Sequence, residues 1–203
     1  MRAEQEPPRP VTVGTGRLEA FSDAVMAVII TILALELRRP DGSTLSALAD
    51  ERDSLFIYVL AFLFIAIYWN NHHHLLRATT RISGAAMWAN MLLLFSLSLA
   101  PVVTEWIREF PRAAVPVASF GAVSLAAALS YTLLEVTLLR ANGRESALGR
   151  ALSNRTKGYA SLAMYAAGVA LSVIDVWISY ALYVAVAVMW LIPDRRFTRV
   201  ADE

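Results

Sequence analysis

Polar residues punctuate the chain at intervals that leave six apolar runs. The first, FSDAVMAVIITILALEL at 21–37, holds twelve uncharged residues between Asp23 and Glu36, from Ala24 to Leu35. At about 1.5 Å per helical residue they cover about 18 Å, well short of the roughly 30 Å hydrocarbon core of a bilayer. A span built here keeps Ser22 and Asp23 at or inside its edge and Thr31 at its middle. The next three uncharged runs, Ser54–Leu76, Ile82–Thr104 and Ala113–Leu134, are 22 or 23 residues long, enough to cross with some tilt. The last two, Gly158–Ile174 and Val176–Pro193, have 17 and 18 residues and are separated only by Asp175. That charge at the midpoint predicts a tight hairpin of two short spans rather than one long amphipathic helix. With 17–37 as the first span, the pattern predicts an all-α polytopic membrane protein of six transmembrane helices, both termini on one side.

Composition supports the membrane class. The 203 residues are 57% hydrophobic and 17% charged, against about 25% charged in an average soluble domain. The net charge of +1 hides an uneven distribution. Thirteen of the 18 Lys and Arg residues fall in the N-terminal arm, the 2–3 turn, the 4–5 loop and the C-terminal tail. The opposite side has five: Arg38, Arg39, Arg52, Arg108 and Arg112. The positive-inside rule then puts both termini in the cytoplasm of a multi-pass protein of the cell (inner) membrane. The absence of cysteine excludes disulfides. Residues 1–16, with three prolines and mixed charge, have neither the apolar core nor the cleavage site of a signal peptide. They are expected to form a disordered cytoplasmic arm before a membrane domain at 17–193, with a cytoplasmic tail at 194–203. Short loops leave no room for a soluble domain, so the function is expected in the membrane, with lipid and not nucleic acid as surroundings.

The polar positions inside the spans carry the candidate chemistry. TVGTG at 12–16 resembles the TVGYG filter of conventional potassium channels, but it precedes the first span, where no pair of helices frames it. It reads as a lead-in, with Thr12 or Thr15 capping the first helix. On a wheel of about 100° per residue, Ala24, Val28, Thr31 and Leu35 form one stripe of the first span, with Ile32 at its border and Met26 and Leu33 opposite. Asp23 lies on a different face, about 120° away. The Thr31 hydroxyl has two readings: a bond to the carbonyl one turn back, or a ligand facing a polar path. An acid at the depth of Asp23 calls for a partner. The second span ends at the same depth in YWNNHHHLLR, Tyr68–Arg77, and the third enters there with Trp88 and Asn90. A structural hydrogen-bond network that locks these helices is the leading reading, with Trp69 as an interfacial belt residue. His72, His73 and His74 are adjacent and point about 100° apart, whereas metal ligands on one helix face sit at i, i+4, so no metal site is expected. A proton relay through Asp23 and His72–His74 is the competing reading. Ala118, Ala122 and Ala126 make a small-residue stripe in the fourth span, suited to packing within a subunit or between subunits.

Residues 17–37, RLEAFSDAVMAVIITILALEL, resemble the first-span signature of the transmembrane protein 175 family, the endosomal and lysosomal potassium channels and their bacterial relatives. The matching positions are Arg17, Phe21, Ser22, Asp23 and Leu35-Glu36-Leu37. A second match is Trp69, His72 and His73 late in the second span, beside Asn70. The resemblance implies a potassium-preferring cation channel, not an enzyme, conducting passively with no cofactor beyond permeant K+ and with monovalent cations as its other partners. It implies a homotetramer whose four first helices line the pore, with the narrowest apolar ring at Val28 and a threonine layer at Thr31. The stripe drawn from helical spacing contains both residues. The constriction in the family is more often Ile or Leu, so Val28 predicts a wider closed state. Glu36 would lie at the outer mouth, either concentrating cations or simply ending a solvated helix. The alternative function is a proton-coupled secondary transporter using Asp23 and His72–His74. Against it, neither proline nor glycine interrupts the first two spans, as broken-helix binding sites often require.

Overall fold

A computed structural model describes residues 15–152 and 155–191, which are helical throughout apart from short turns. Nine helices occur among them: α1 Thr15–Leu35, α2 Leu45–Asp50, α3 Arg52–Arg77, α4 Gly84–Ser98, α5 Ala100–Glu109, α6 Ala114–Asn142, α7 Ala147–Ala151, α8 Thr156–Leu171 and α9 Val176–Leu191. The chain is therefore all-α, as the apolar runs predict. Most of the arm and the whole tail lie outside the described residues, as do Thr12 and most of the TVGTG string. Thr15 and Gly16 already belong to the first helix.

Among the described residues four rods are long and apolar enough to cross a bilayer: Thr15–Leu35, Arg52–Arg77, Gly84–Glu109 and Ala114–Asn142. The third is not one continuous helix. Pro101 has no N–H, so the Leu97 carbonyl loses its donor one turn on. The backbone tightens there, with Leu99 N–H reaching the Ser96 carbonyl at 3.3 Å, and α5 restarts with Pro101 in its first turn. The last two runs form the expected hairpin. α8 and α9 have 16 residues each and pack on one another. Between them Asp175 ends the turn by accepting the Trp177 N–H on Oδ1 at 2.8 Å. At about 1.5 Å per residue each helix is about 24 Å long, short of the hydrocarbon thickness.

Two groups of helices pack side by side. α1 rests on α3, α4 and α5, while α6 rests on α4, α5, α8 and α9. The connection from α3 to α4 is pinned by one side chain at the end of α6. Asn142 Oδ1 accepts the Thr80 N–H at 3.0 Å, the Arg81 N–H at 2.9 Å and the Thr80 hydroxyl at 2.9 Å, and its amide donates to the Arg81 carbonyl at 2.9 Å. Gly143 closes α6 with φ +86°, a conformation that other residues rarely adopt.

In the second group the close approach is made by glycines, not by the alanine stripe. Ala122 and Ala126 are exposed, whereas Gly121 of α6 and Gly168 of α8 both face the ring of Tyr183 on α9. A Cβ at Gly121 would lie 2.1 Å from the Tyr183 hydroxyl, and one at Gly168 2.4 Å from its Cε1. The same hydroxyl donates to the Val117 carbonyl at 3.2 Å, and Ser179 donates to the Gly168 carbonyl at 2.7 Å. Gly121→Ala is therefore expected to destabilise the fold by about 1–3 kcal/mol, the cost of overpacking a filled core. Tyr183→Phe in that background removes the nearest atom and should recover part of the loss. Thermal midpoints of the four variants in detergent, treated as a double-mutant cycle, check this.

Candidate functional site

α1 divides into two faces. Met26 and Leu33 are 0% and 1% exposed and pack in the core with Ile29. On the other side Val28, Ile32 and Leu35 are 56%, 40% and 84% exposed, and Ala24 and Thr31 are exposed with them. Of the four long rods α1 carries the most apolar stretch, and that stretch is the least buried of the four. So apolar a surface needs a cover of lipid or protein. Thr31 interrupts it with a hydroxyl that donates to the Val28 carbonyl at 2.7 Å. That bond uses the only hydroxyl proton, so the oxygen offers acceptor lone pairs on the exposed face.

Near the start of α1 a buried polar cluster joins three helices. The Ser22 hydroxyl donates to the Leu18 carbonyl at 2.8 Å, and the same oxygen accepts from Asn90 Nδ2 at 2.9 Å. Asn90 Oδ1 lies 2.7 Å from His72 Nε2. Each assignment follows from the one before. Ser22 has spent its proton, so Asn90 must turn its amide nitrogen toward it, and Asn90 Oδ1 then requires a proton on His72 Nε2. Ser22, His72 and Asn90 are each 0% exposed, so the chain α1–α4–α3 is closed to lipid. Alongside it, His73 Nδ1 lies 2.8 Å from Glu19 Oε1, and Trp69 stacks on the His73 ring at 6.1 Å between centroids.

The network thus closes through Ser22, while Asp23 makes no hydrogen bond among the described residues and its Oδ1 is buried without a partner. Adjacent helical residues point about 100° apart, so both cannot face the Asn90 amide. His72 Nδ1 is likewise buried without a hydrogen-bond partner among the described residues. Arg17, Phe21 and Asn70 are exposed and lie outside the cluster. Glu19 is the member that sequence reasoning missed. Its signal was available, because it lies one turn before Ser22 and Asp23 on a helix that faces a histidine run.

At the far end of α1, Arg108 Nη1 of α5 donates to the Glu36 carbonyl. Glu36 Oε2 and Arg108 Nε are buried without hydrogen-bond partners among the described residues. Burial pushes the Glu36 carboxyl above the usual range, the charge of Glu105 adds to that, and Arg108 opposes both.

The fold and these sites define a multi-pass helical membrane protein with an apolar, outward-turned first helix anchored by buried polar groups. The chain belongs to the family of the endosomal/lysosomal potassium channel TMEM175, whose profile matches residues 17–101. It is 43% identical over 188 residues to a protein of Chryseobacterium sp. (strain P1-3) named as a potassium channel, spanning 93% of this chain and 98% of that one. A potassium channel of Streptomyces collinus is 35% identical over 128 residues, 59% of this chain and 62% of that one. The fold also matches the crystal structure of a lysosomal potassium-selective channel TMEM175 homolog from Chamaesiphon minutus. The TM-score is 0.70 at 27% identity, covering 88% of this chain and 96% of that one. This is a family of ion channels and not of enzymes.

Asn90→Ala removes the centre of the cluster and orphans His72 Nε2 together with one acceptor position of Ser22. At about 1–3 kcal/mol for a buried group left unsatisfied, it should cost clearly more than Ser22→Ala, which orphans only an amide N–H. Thermal unfolding of both variants in detergent, compared with the parent, checks the order.

Proposed function

We propose that the protein is a potassium-preferring cation channel formed by four copies of the chain. Each copy contributes six spans, with both termini in the cytoplasm, and one α1 to the pore wall. The observation that carries this reading is the exposed α1 face: an apolar stripe of Ala24, Val28, Ile32 and Leu35 broken by one acceptor, Thr31. Four Val28 side chains would form the constriction, excluding water when narrow. Just beyond it, four Thr31 oxygens would replace part of the ion's hydration shell with their lone pairs, in place of a TVGYG filter. One such ring supplies fewer ligands than stacked carbonyls, so the preference for potassium over sodium is modest. No resident cofactor takes part. Asp23, without a hydrogen-bond partner among the described residues, would support the helix contact at the cytoplasmic end, and Glu36 would draw cations to the outer mouth.

Val28→Asn is expected to raise cation current, because an amide ring lowers the cost of wetting the constriction. Each ~1.4 kcal/mol removed is about tenfold in rate. Thr31→Val keeps the shape and deletes the oxygens, so potassium preference should fall toward unity. Leu33→Asn, on the buried face, should reduce the yield of folded protein without a gain in current. Recordings from purified protein in bilayers under potassium and sodium gradients decide this. An unchanged current in Val28→Asn together with a raised one in Leu33→Asn would put the wrong face of α1 in the pore.

A proton-coupled carrier is the second reading, favoured by the bare Asp23 Oδ1 and His72 Nδ1. It requires potassium flux to vanish without a proton gradient, whereas a channel keeps conducting. On the channel reading, Asp23→Ala lowers the yield of assembled protein and leaves the selectivity of surviving channels unchanged.

Glu36 adds a pH dependence. Its raised pKa means that the carboxylate charge is lost, as pH falls, earlier than for an ordinary glutamate. Inward current should therefore decline on outer acidification from above the normal carboxylate range, and Glu36→Gln should be low and flat over the same interval. A parent titration indistinguishable from that of Glu36→Gln removes Glu36 from the mouth.

A further inference from the structure

A cavity separate from the α1 face lies between α3, α6, α8 and α9, at the end of the bundle where α8 begins. Its deeper wall is apolar, with Leu60, Phe64, Phe120 and Ala128, and its other end is polar, with Tyr131 and Arg155. The aromatic wall is held rigidly: Phe64 packs on Tyr68 at 5.1 Å and on Phe120 at 5.9 Å, and Tyr68 meets Tyr131 edge-on at 5.8 Å. Tyr165 and Phe120 both pack on Tyr183. A space framed by interlocked rings from four helices does not collapse at small cost.

The polar groups around this space divide into spent and unspent. Thr132 donates to the Ala128 carbonyl, Asn71 to the Ile67 carbonyl, Trp190 to Ser161 and Tyr183 to the Val117 carbonyl. Tyr68, Tyr131 and Tyr165 bring three hydroxyl-bearing rings to the cavity lining. Arg155 also lines it, and its Nη2 is buried without a hydrogen-bond partner among the described residues. Arg155 is also the N-cap of α8, so the positive end of a helix dipole adds to its charge. The guanidinium nitrogen and the phenols beside it are hydrogen-bond donors, and in a membrane such groups require an acceptor. Glu135 lines the same cavity and has an interaction of its own, and Arg155 is the cationic side chain of the lining, the one suited to an anion.

We propose that this cavity binds a membrane phospholipid. Its phosphodiester oxygens accept from Arg155 and the tyrosine hydroxyls, and one acyl chain runs along Leu60, Phe64, Phe120 and Ala128. The pairing of a donor-rich end with an apolar, aromatic-walled end within a membrane domain matches an amphiphile of this kind. The site does not touch α1 and is independent of the pore reading.

Native mass spectrometry of the full chain, reconstituted with palmitoyl-oleoyl phosphatidylglycerol and then extracted in detergent, tests it. The parent should retain bound lipid, and Arg155→Gln and Tyr131→Phe should each lower the retained fraction at least fivefold. Ala128→Phe, which fills the apolar end, should do the same. Arg150→Gln, at an exposed arginine that bonds the Glu145 carbonyl, should retain lipid like the parent. Millimolar inorganic phosphate should not displace the lipid. Equal retention in the parent, Tyr131→Phe and Ala128→Phe overturns the proposal, as does displacement by phosphate, which would make the site one for a free anion. Should Arg155→Gln fail to fold, Tyr131→Phe decides alone, since it keeps the ring and removes only the hydroxyl.

Discussion

A serine with a single proton sets the rotation of the first helix. Because Ser22 gives that proton to the Leu18 carbonyl, it can only accept from Asn90, and Asn90 can then only accept from His72. In lipid none of these groups can turn to water instead, so breaking one bond leaves a buried polar atom with no alternative. The cluster fixes which side of α1 faces the protein, and helical geometry does the rest. With Ser22 inward, positions 26, 29 and 33 fall inward with it, and 24, 28, 31 and 35 fall outward. The exposure of the two faces follows this phase residue by residue.

That phase was legible in the sequence as a wheel, because Ala24, Val28, Thr31 and Leu35 share a stripe whichever way it turns. Which of the two adjacent candidates, Ser22 or Asp23, makes the anchoring bond was not. A carboxylate in an apolar segment draws the eye to Asp23, yet the bond that locks the helix uses its neutral neighbour. Spacing along one helix cannot say which of two adjacent polar residues meets an amide on another helix. Glu19 was hidden for a related reason: it sits before the apolar run, where an acid passes for solvated, until α3 brings His73 alongside it. The break at Pro101 was readable from the residue type but was masked by an uncharged run that continues across it. α2 and α7 are too short to leave a periodic signature. The α8–α9 hairpin was legible because one charge, Asp175, interrupts two otherwise apolar runs and then serves the turn itself.

The two halves of the protomer solve the packing problem differently. Around α1 the helices are held by a few directional bonds near its two ends and by the inward apolar stripe, and the outer face remains open for other contacts. Around α6, α8 and α9 they are held by shape, with Gly121 and Gly168 closing on the Tyr183 ring so tightly that a methyl group does not fit. Lipid offers little hydrophobic drive between helices, so close contact and hydrogen bonds must supply the association. The same ring of Tyr183 also lines the cavity at its edge. Tight packing on one side of a rigid aromatic and open space on the other is a stable combination, because the ring cannot move to fill the gap without leaving the glycines.

Thr31 joins the two readings that its sequence position left open. A hydroxyl bonded to its own helix is usually taken as silent, a polar group made harmless to its surroundings. The bond to the Val28 carbonyl does satisfy the donor, but it does so by fixing the oxygen's lone pairs outward on the exposed face. An unbonded hydroxyl could rotate and offer its proton to whatever lies opposite, which for a cation is repulsive. The back-bond removes that freedom before an ion arrives, so the ordering cost is met during folding and not during permeation. The local bond that makes threonine tolerable in a membrane helix is then the one that would make it a fixed acceptor in a proposed cation path.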